Sequence, residues 1–193
     1  LIFLAKIFYY LFHKLRIYTF WSHIYRFLYH RRYKNIPLDS NLTPVETLKK
    51  LQRLKWSKDR FKELFDAFGS PHWVQYCINQ TGLGNPQPSG ALDCDEFSIW
   101  SAWVLKAEFK PVILNVNWHD ADGFDGHNVC LFEILGKYRH IGNWGLSESY
   151  TSRKNLIEEI VSKATGDQGK LIGWAVYTKN LKLTECHTDL RRA

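Results

Sequence analysis

The chain contains no methionine among its 193 residues, so residue 1 says nothing about where the natural chain starts. It also lacks any CxxC pair: the four cysteines, Cys77, Cys94, Cys130 and Cys186, stand far apart. Thiols this sparse build no disulfide framework and favour a reducing, cytoplasmic compartment. No phosphate-binding loop or dinucleotide fingerprint occurs, because Gly82-Leu-Gly84 runs into prolines rather than a helix. No cofactor is expected. An uninterrupted apolar run of about 18 residues, the minimum for a spanning helix, is absent. The first apolar stretch is broken by Lys6, His13, Lys14 and Arg16, and no small-x-small cleavage site follows it, which argues against a secretory signal.

Acidic residues are missing from the first 38 positions. Lys6, Lys14, Arg16, Arg26, Arg31, Arg32 and Lys34 lie there and account for the whole net charge of +7, while the other 19 bases balance 19 acids. The body is therefore neutral, and a pI near 9.2 does not make the protein a nucleic-acid binder.

What the chain does have is an aromatic, basic arm followed by a domain-sized remainder. Residues 1–36 form the arm, and twelve aromatic residues fall between Leu1 and Lys34. Cations mixed with aromatics suit a helix pair lying on an anionic membrane surface. They equally suit a helical hairpin packed on the domain, and the two readings stand side by side. Single-stranded nucleic acid is a third, less favoured partner.

Residues 37–193 read as one domain. Thr43-Pro44-Val45-Glu46 opens a helix expected to reach about Leu54, with Thr as N-cap and Pro at the first helical position. A second helix is expected between Ser57 and Gly69, with Phe61, Leu64, Phe65 and Phe68 on one face. Ser70-Pro71 starts a third, ending near Gly82. After the next helix the period changes to two. Strands are expected over 112–118, 127–135, 138–144 and 171–178, a loop over 119–126, a turn at Gly136-Lys137, and a helix over 152–164. Helices first and antiparallel strands after give an α+β class.

The stretch Ala91–Trp103 carries the chemistry. Asp93 and Glu96 form a D-x-x-E capping box that places Cys94 at the first position of a helix. A thiol beside unpaired helix N–H groups and the positive dipole end is favoured as thiolate, the nucleophilic form. Asp93, Asp95 and Glu96 oppose that effect. Downstream, a hairpin centred on Leu135 sets His127 opposite Asn143. A thiol, an imidazole and an amide to orient it are the parts of an activated nucleophile. The Cys94 backbone N–H would supply half of an oxyanion hole, with Gln87, Gln80 or Trp73 as candidates for the other donor. Cys77, Cys130 and Cys186 read as structural. Asp120–Asp125 lacks the full calcium ligand series, and Cys94, His119, His127 and His140 lack zinc-type close pairs, so no metal is expected.

Three pieces, Asp93-Cys94-Asp95-Glu96-Phe97-Ser98, Gly126-His127-Asn128-Val129 and Ile141-Gly142-Asn143-Trp144-Gly145, together resemble the transglutaminase-like branch of papain-like cysteine enzymes. The spacings, 33 residues from Cys to His and 16 from His to Asn, are similar to that family's Cys–His–Asp core. Asn143 stands where transglutaminase-like members usually carry Asp, and papain-like proteases use Asn there. The resemblance covers roughly 71–145. It implies a nucleophile helix packed on an antiparallel sheet, and a thiol acyl-enzyme acting on a peptide or protein amide. It also allows a member that has lost catalysis and only binds.

Overall fold

The structure is a computed structural model that describes residues 2–15, 17–57, 68–89 and 92–188. The arm forms α1 (Ile2–Lys14) and α2 (Ile17–Tyr25), continued by a π-helical turn, Arg26–His30, and a 3-10 turn, Arg31–Tyr33. Then come α3 (Pro44–Leu51), α4 (Pro71–Gly82) and α5 (Cys94–Val104). The expected helix between Ser57 and Gly69 falls on 58–67, outside the described residues; Phe68, at its end, is fully buried.

Each of these helices starts where its side chains supply the missing acceptors. Thr43 and Glu46 close a capping box at α3, Ser70 accepts the His72 N–H at α4, and Asp93 with Glu96 closes the box at α5. α3 stops at Leu51 rather than Leu54.

Six antiparallel strands make one sheet, in the order β4-β3-β2-β1-β5-β6: β1 (Val112–Asp120), β2 (Gly123–Ile134), β3 (Lys137–Gly142), β4 (Gly145–Leu146), β5 (Lys170–Tyr177) and β6 (Leu183–Thr188). α6 (Arg153–Thr165) joins β4 to β5. The expected loop 119–126 is mostly strand. His119 pairs with Phe124 and Asp120 with Gly123, so only Ala121 and Asp122 turn the chain. β6 was absent from the sequence expectation.

Strict alternation gives the sheet two dry faces. Ile113, Cys130 and Phe132 pack with Phe97 and Trp100 of α5 and with Trp73 of α4. Leu114, Val129 and Leu131 pack with Leu156 and Ile160 of α6. The class is α+β, with the sheet between a helical layer that contains α5 and, on the other face, α6.

The arm docks on the first layer. Tyr9 in α1 donates its hydroxyl to Asn115 Oδ1 on β1 at 2.8 Å, and His13 bonds the Tyr177 hydroxyl on β5. Gly173 lets α1 approach that closely, since a Cβ there would stand 2.8 Å from Tyr9 Cε1. Farther along, Ser22 accepts the Phe68 N–H at 3.0 Å, Arg26 donates to the Gly69 carbonyl at 2.8 Å, and His30 accepts the Ser70 N–H at 2.9 Å. Among the described residues, no helix is long and apolar enough to cross a membrane.

Candidate active site

Cys94 occupies the first position of α5, as the capping box dictates. Asp93 is extended at the N-cap and accepts the Asp95 N–H at 2.9 Å, and Glu96 accepts the Asp93 N–H at 3.1 Å. Just upstream, Ser57 and Leu92 exchange backbone and side-chain bonds of 3.0 Å each, which fixes the entry to the helix. α5 is buried nearly throughout, so the thiol rides on a rigid core element, itself only 6% exposed.

The carboxylates around it divide their work. Asp95 Oδ1 accepts the Cys94 thiol at 3.6 Å and also the Asn128 side-chain amide. Glu96 is buried; that burial, reinforced by Asp93 and Asp95, holds its carboxyl well above the usual carboxylate range. A neutral Glu96 does not repel a thiolate, so one of the three opposing charges is removed. Gly69 lies against this carboxyl: a Cβ there would stand 3.0 Å from Glu96 Cγ. Arg26, bonded to that same glycine, brings the arm to the start of α5.

The Asp95–Asn128 bond ties the start of α5 to β2 one residue from His127. β2 is exposed at Phe124 and Asp125 and becomes buried at His127. The His127 ring stacks on the Trp144 indole, with centroids 3.8 Å apart and planes 16° apart. Trp144 and Asn143 are the two turn residues between β3 and β4. Alternation along β2 sets Asn128 on the α5 face with Cys130 and Phe132, and His127 on the α6 face with Val129, Leu131 and Trp144, so the α5 start is tied to Asn128 and the 143–144 turn to His127.

The register there differs from expectation. The β2–β3 hairpin turns at Leu135-Gly136, both with positive φ (51° and 74°), and Ile134 pairs with Lys137. Cys130 then pairs with Ile141, and the same register extended puts Trp144 opposite His127. Asn143 is a turn residue one position away, not a strand partner. A turn centred half a residue later in the chain accounts for the whole shift. Asn143 Oδ1 is buried and accepts no hydrogen bond among the described residues.

The oxyanion candidates sit in other contacts. Gln87 uses both ends of its amide on Lys55, accepting the N–H at 2.7 Å and donating to the carbonyl at 3.1 Å. Gln80 accepts the Asn85 amide at 2.9 Å in the last turn of α4. Trp73 is buried against His30, Tyr33 and Tyr76 beneath the arm. The buried glutamine of α4 is Gln75, whose amide bonds Asp39, Asn79 and the Trp100 indole, locking α4 to α5. Asn128 and Trp144 were not singled out from sequence, although each directly follows a residue that was.

Neither a family model nor a curated protein matches this chain.

Of the other three thiols, Cys77 and Cys130 sit in the apolar core. Burial pushes Cys77 up to about 12 and also raises Cys130 and Cys186. Cys77 and Cys130 are fully buried, and Cys186 is half-buried on β6. Asp93, Cys94 and Asp95 offer metal-ligand atoms within 4.8 Å of one another. Their carboxylates already serve as N-cap and as acceptor of the thiol and Asn128, which accounts for the cluster without an ion.

Proposed function

We propose that the protein is a cysteine-dependent hydrolase or acyltransferase of the papain-like, transglutaminase-like kind, acting on a peptide-like amide. What supports the reading is a capped helix-start thiol tied through Asp95 and Asn128 to the strand that carries His127, beside the turn that carries Asn143. In this reading the His127 ring reaches round the edge of β2, which pairs with β3 only from Cys130 onward, to take the Cys94 proton, and the thiolate sulfur adds to the amide carbonyl. The tetrahedral intermediate collapses as His127 returns that proton to the leaving amine, leaving a thioester on Cys94. Water or a second amine then attacks the thioester and regenerates the thiol. Asn143 Oδ1, buried and accepting no bond among the described residues, suits the imidazole N–H and would hold the ring's tautomer. The Cys94 N–H lies outside the intrahelical ladder and can meet the developing oxyanion.

A second reading, a binding domain without catalysis, is favoured by one contact: the thiol is nearly buried and donates to a carboxylate. Iodoacetamide labelling across pH, with each site resolved by mass spectrometry, separates the two. Catalysis requires Cys94 to label first, and below the pH range where an ordinary thiol ionises. Labelling confined to Cys186 would support the binding domain. The protein's own burial pattern keeps Cys77 and Cys130 out of this measurement.

A further inference from the structure

The arm is amphipathic in the wrong sense for a surface helix. Such helices normally turn apolar residues inward and polar ones to solvent. Here Tyr9, His13, Ser22 and His30 face the domain and are buried, and their hydrogen bonds do the docking. The large apolar side chains face out: Phe8 is 70% exposed, Leu4 and Leu15 66% each, Phe27 63%, Leu28 61% and Phe20 60%. Scattered exposed apolar residues need no explanation, but six on one short arm are a concentration of the kind that contacts lipid or protein.

Charge decides between those occupants. Lys14, Arg31, Arg32 and Lys34 are exposed on the same arm, no acid occurs in the sequence before Asp39, and Asp125 is the acid that lines the cavity beside Leu4 and Phe8. The Arg31 guanidinium lies over the Phe27 ring at 5.7 Å, so cation and apolar group share one place. A second copy of the chain would bring two such basic faces together and be repelled. An anionic lipid surface neutralises them.

We propose that the outer face of the arm seats in the interface of an anionic bilayer and holds the domain at the membrane surface. α1, with 13 residues, is about 20 Å long against a hydrocarbon core of about 30 Å, so it lies in the plane and does not span. The polar inner face stays bonded to the sheet and to the segment before α4, so docking needs no rearrangement of the fold. A cavity of about 560 Å³ between α1 and the β1–β2 hairpin is lined in part by Leu4 and Phe8. It gives a lipid chain lying along α1 an apolar recess. This proposal is independent of whether Cys94 is a nucleophile.

The test is co-sedimentation of the full chain with phosphatidylcholine vesicles, alone and mixed with phosphatidylserine. The expected result is binding to the anionic vesicles that weakens as salt rises. Two variants alter only exposed side chains. Phe8→Ser with Phe27→Ser should weaken binding by about tenfold or more per ring. Arg31→Gln with Arg32→Gln should remove most of the preference for phosphatidylserine. Thermal unfolding of both should match the unmodified protein, which separates lost docking from lost folding. No sedimentation of the unmodified chain with anionic vesicles would overturn the proposal. So would unchanged binding by the double Phe variant. A dimer in analytical ultracentrifugation that the Phe changes dissociate, without lipid binding, would make a second copy the occupant instead.

Discussion

Acid should destabilise this protein well before its carboxylates titrate, because three histidines are buried in their neutral form. His13 lies against Tyr9 and bonds Tyr177, and burial pushes it down to about 3. His30 accepts the Ser70 N–H on Nδ1, a bond that a protonated ring cannot accept, and burial with Arg26 and Arg32 nearby takes it to about 4. His140 is 3.5 Å from Glu159, yet burial, with Lys163 and Arg139 adding to it, also takes it to about 4. That contact is therefore between a neutral ring and a carboxylate rather than an ion pair at neutral pH.

A folded-state value below the unfolded one means that the unfolded chain takes up protons first as pH falls. The stability from each ring is then complete above about 6.5 and is lost towards about 4, at up to about 1.4 kcal/mol per pH unit. Between pH 7 and 5 each histidine costs about 2 kcal/mol, and the three together roughly 5–6 kcal/mol. Glu96 works the other way: its raised value makes the folded state bind the extra proton, which recovers at most about 2–3 kcal/mol over the same interval. The net loss of about 3 kcal/mol is a large part of the 5–15 kcal/mol typical of a domain. Urea unfolding followed by tryptophan fluorescence at pH 7, 6 and 5 should show the midpoint falling by about 1 M or more. His140→Leu should flatten that dependence by about one proton's worth. A midpoint unchanged or higher at pH 5 would refute the reasoning.

Tyr9→Phe removes a buried hydroxyl but leaves Asn115 Oδ1 the Asn117 amide at 2.6 Å, so denaturation should show a loss of only about 1 kcal/mol. Leu135 is 98% exposed and sits at φ 51° in the tight turn before Gly136. Leu135→Asn should raise stability by about 0.5–1 kcal/mol in the same assay, and a loss would mean that Leu135 has a packing role. Asp93→Ala removes the N-cap of α5; calorimetry should show about 1 kcal/mol lost. Removing residues 1–35 strips the partners of Asn115, Tyr177, Gly69 and Ser70. The shortened chain should unfold at least 10 °C lower, or aggregate, in a thermal melt.

Much of the fold was legible because its signals are local. Thr43-Pro44-Val45-Glu46, Ser70-Pro71 and Asp93–Glu96 mark helix starts within four residues, and the structure opens α3, α4 and α5 at those caps. The core strands β1 and β2 are β-branched and apolar enough to stand out. The hairpin tip around Asp120–Gly123 was read as loop because its Asp and Gly content fits either a long loop or a two-residue turn. β6, Leu-Thr-Glu-Cys-His-Thr, is an edge strand and half-exposed, so no apolar alternation marks it. At the site, Cys94 was fixed by its cap. The pairing of His127 was not, because half a residue of uncertainty in a turn decides whether Asn143 or Trp144 stands opposite. The inward-facing polar residues of the arm had no local signal at all; their partners lie far along the chain, in strands for Tyr9 and His13 and just before α4 for Ser22 and His30.

That distance has a consequence for how the protein is made. Tyr9 is separated from Asn115 by 106 residues, and His13 from Tyr177 by 164. The arm leaves the ribosome before the sheet, and Tyr177 on the strand that completes its platform follows His13 by 164 residues. At about 5–20 residues per second, the arm waits roughly ten seconds or longer with both of its faces uncovered. Contacts this non-local also make the final docking step slow. A nascent chain with that history is one that chaperones or a nearby membrane would meet before the sheet exists, so the order of synthesis gives the arm its first chance to find a surface.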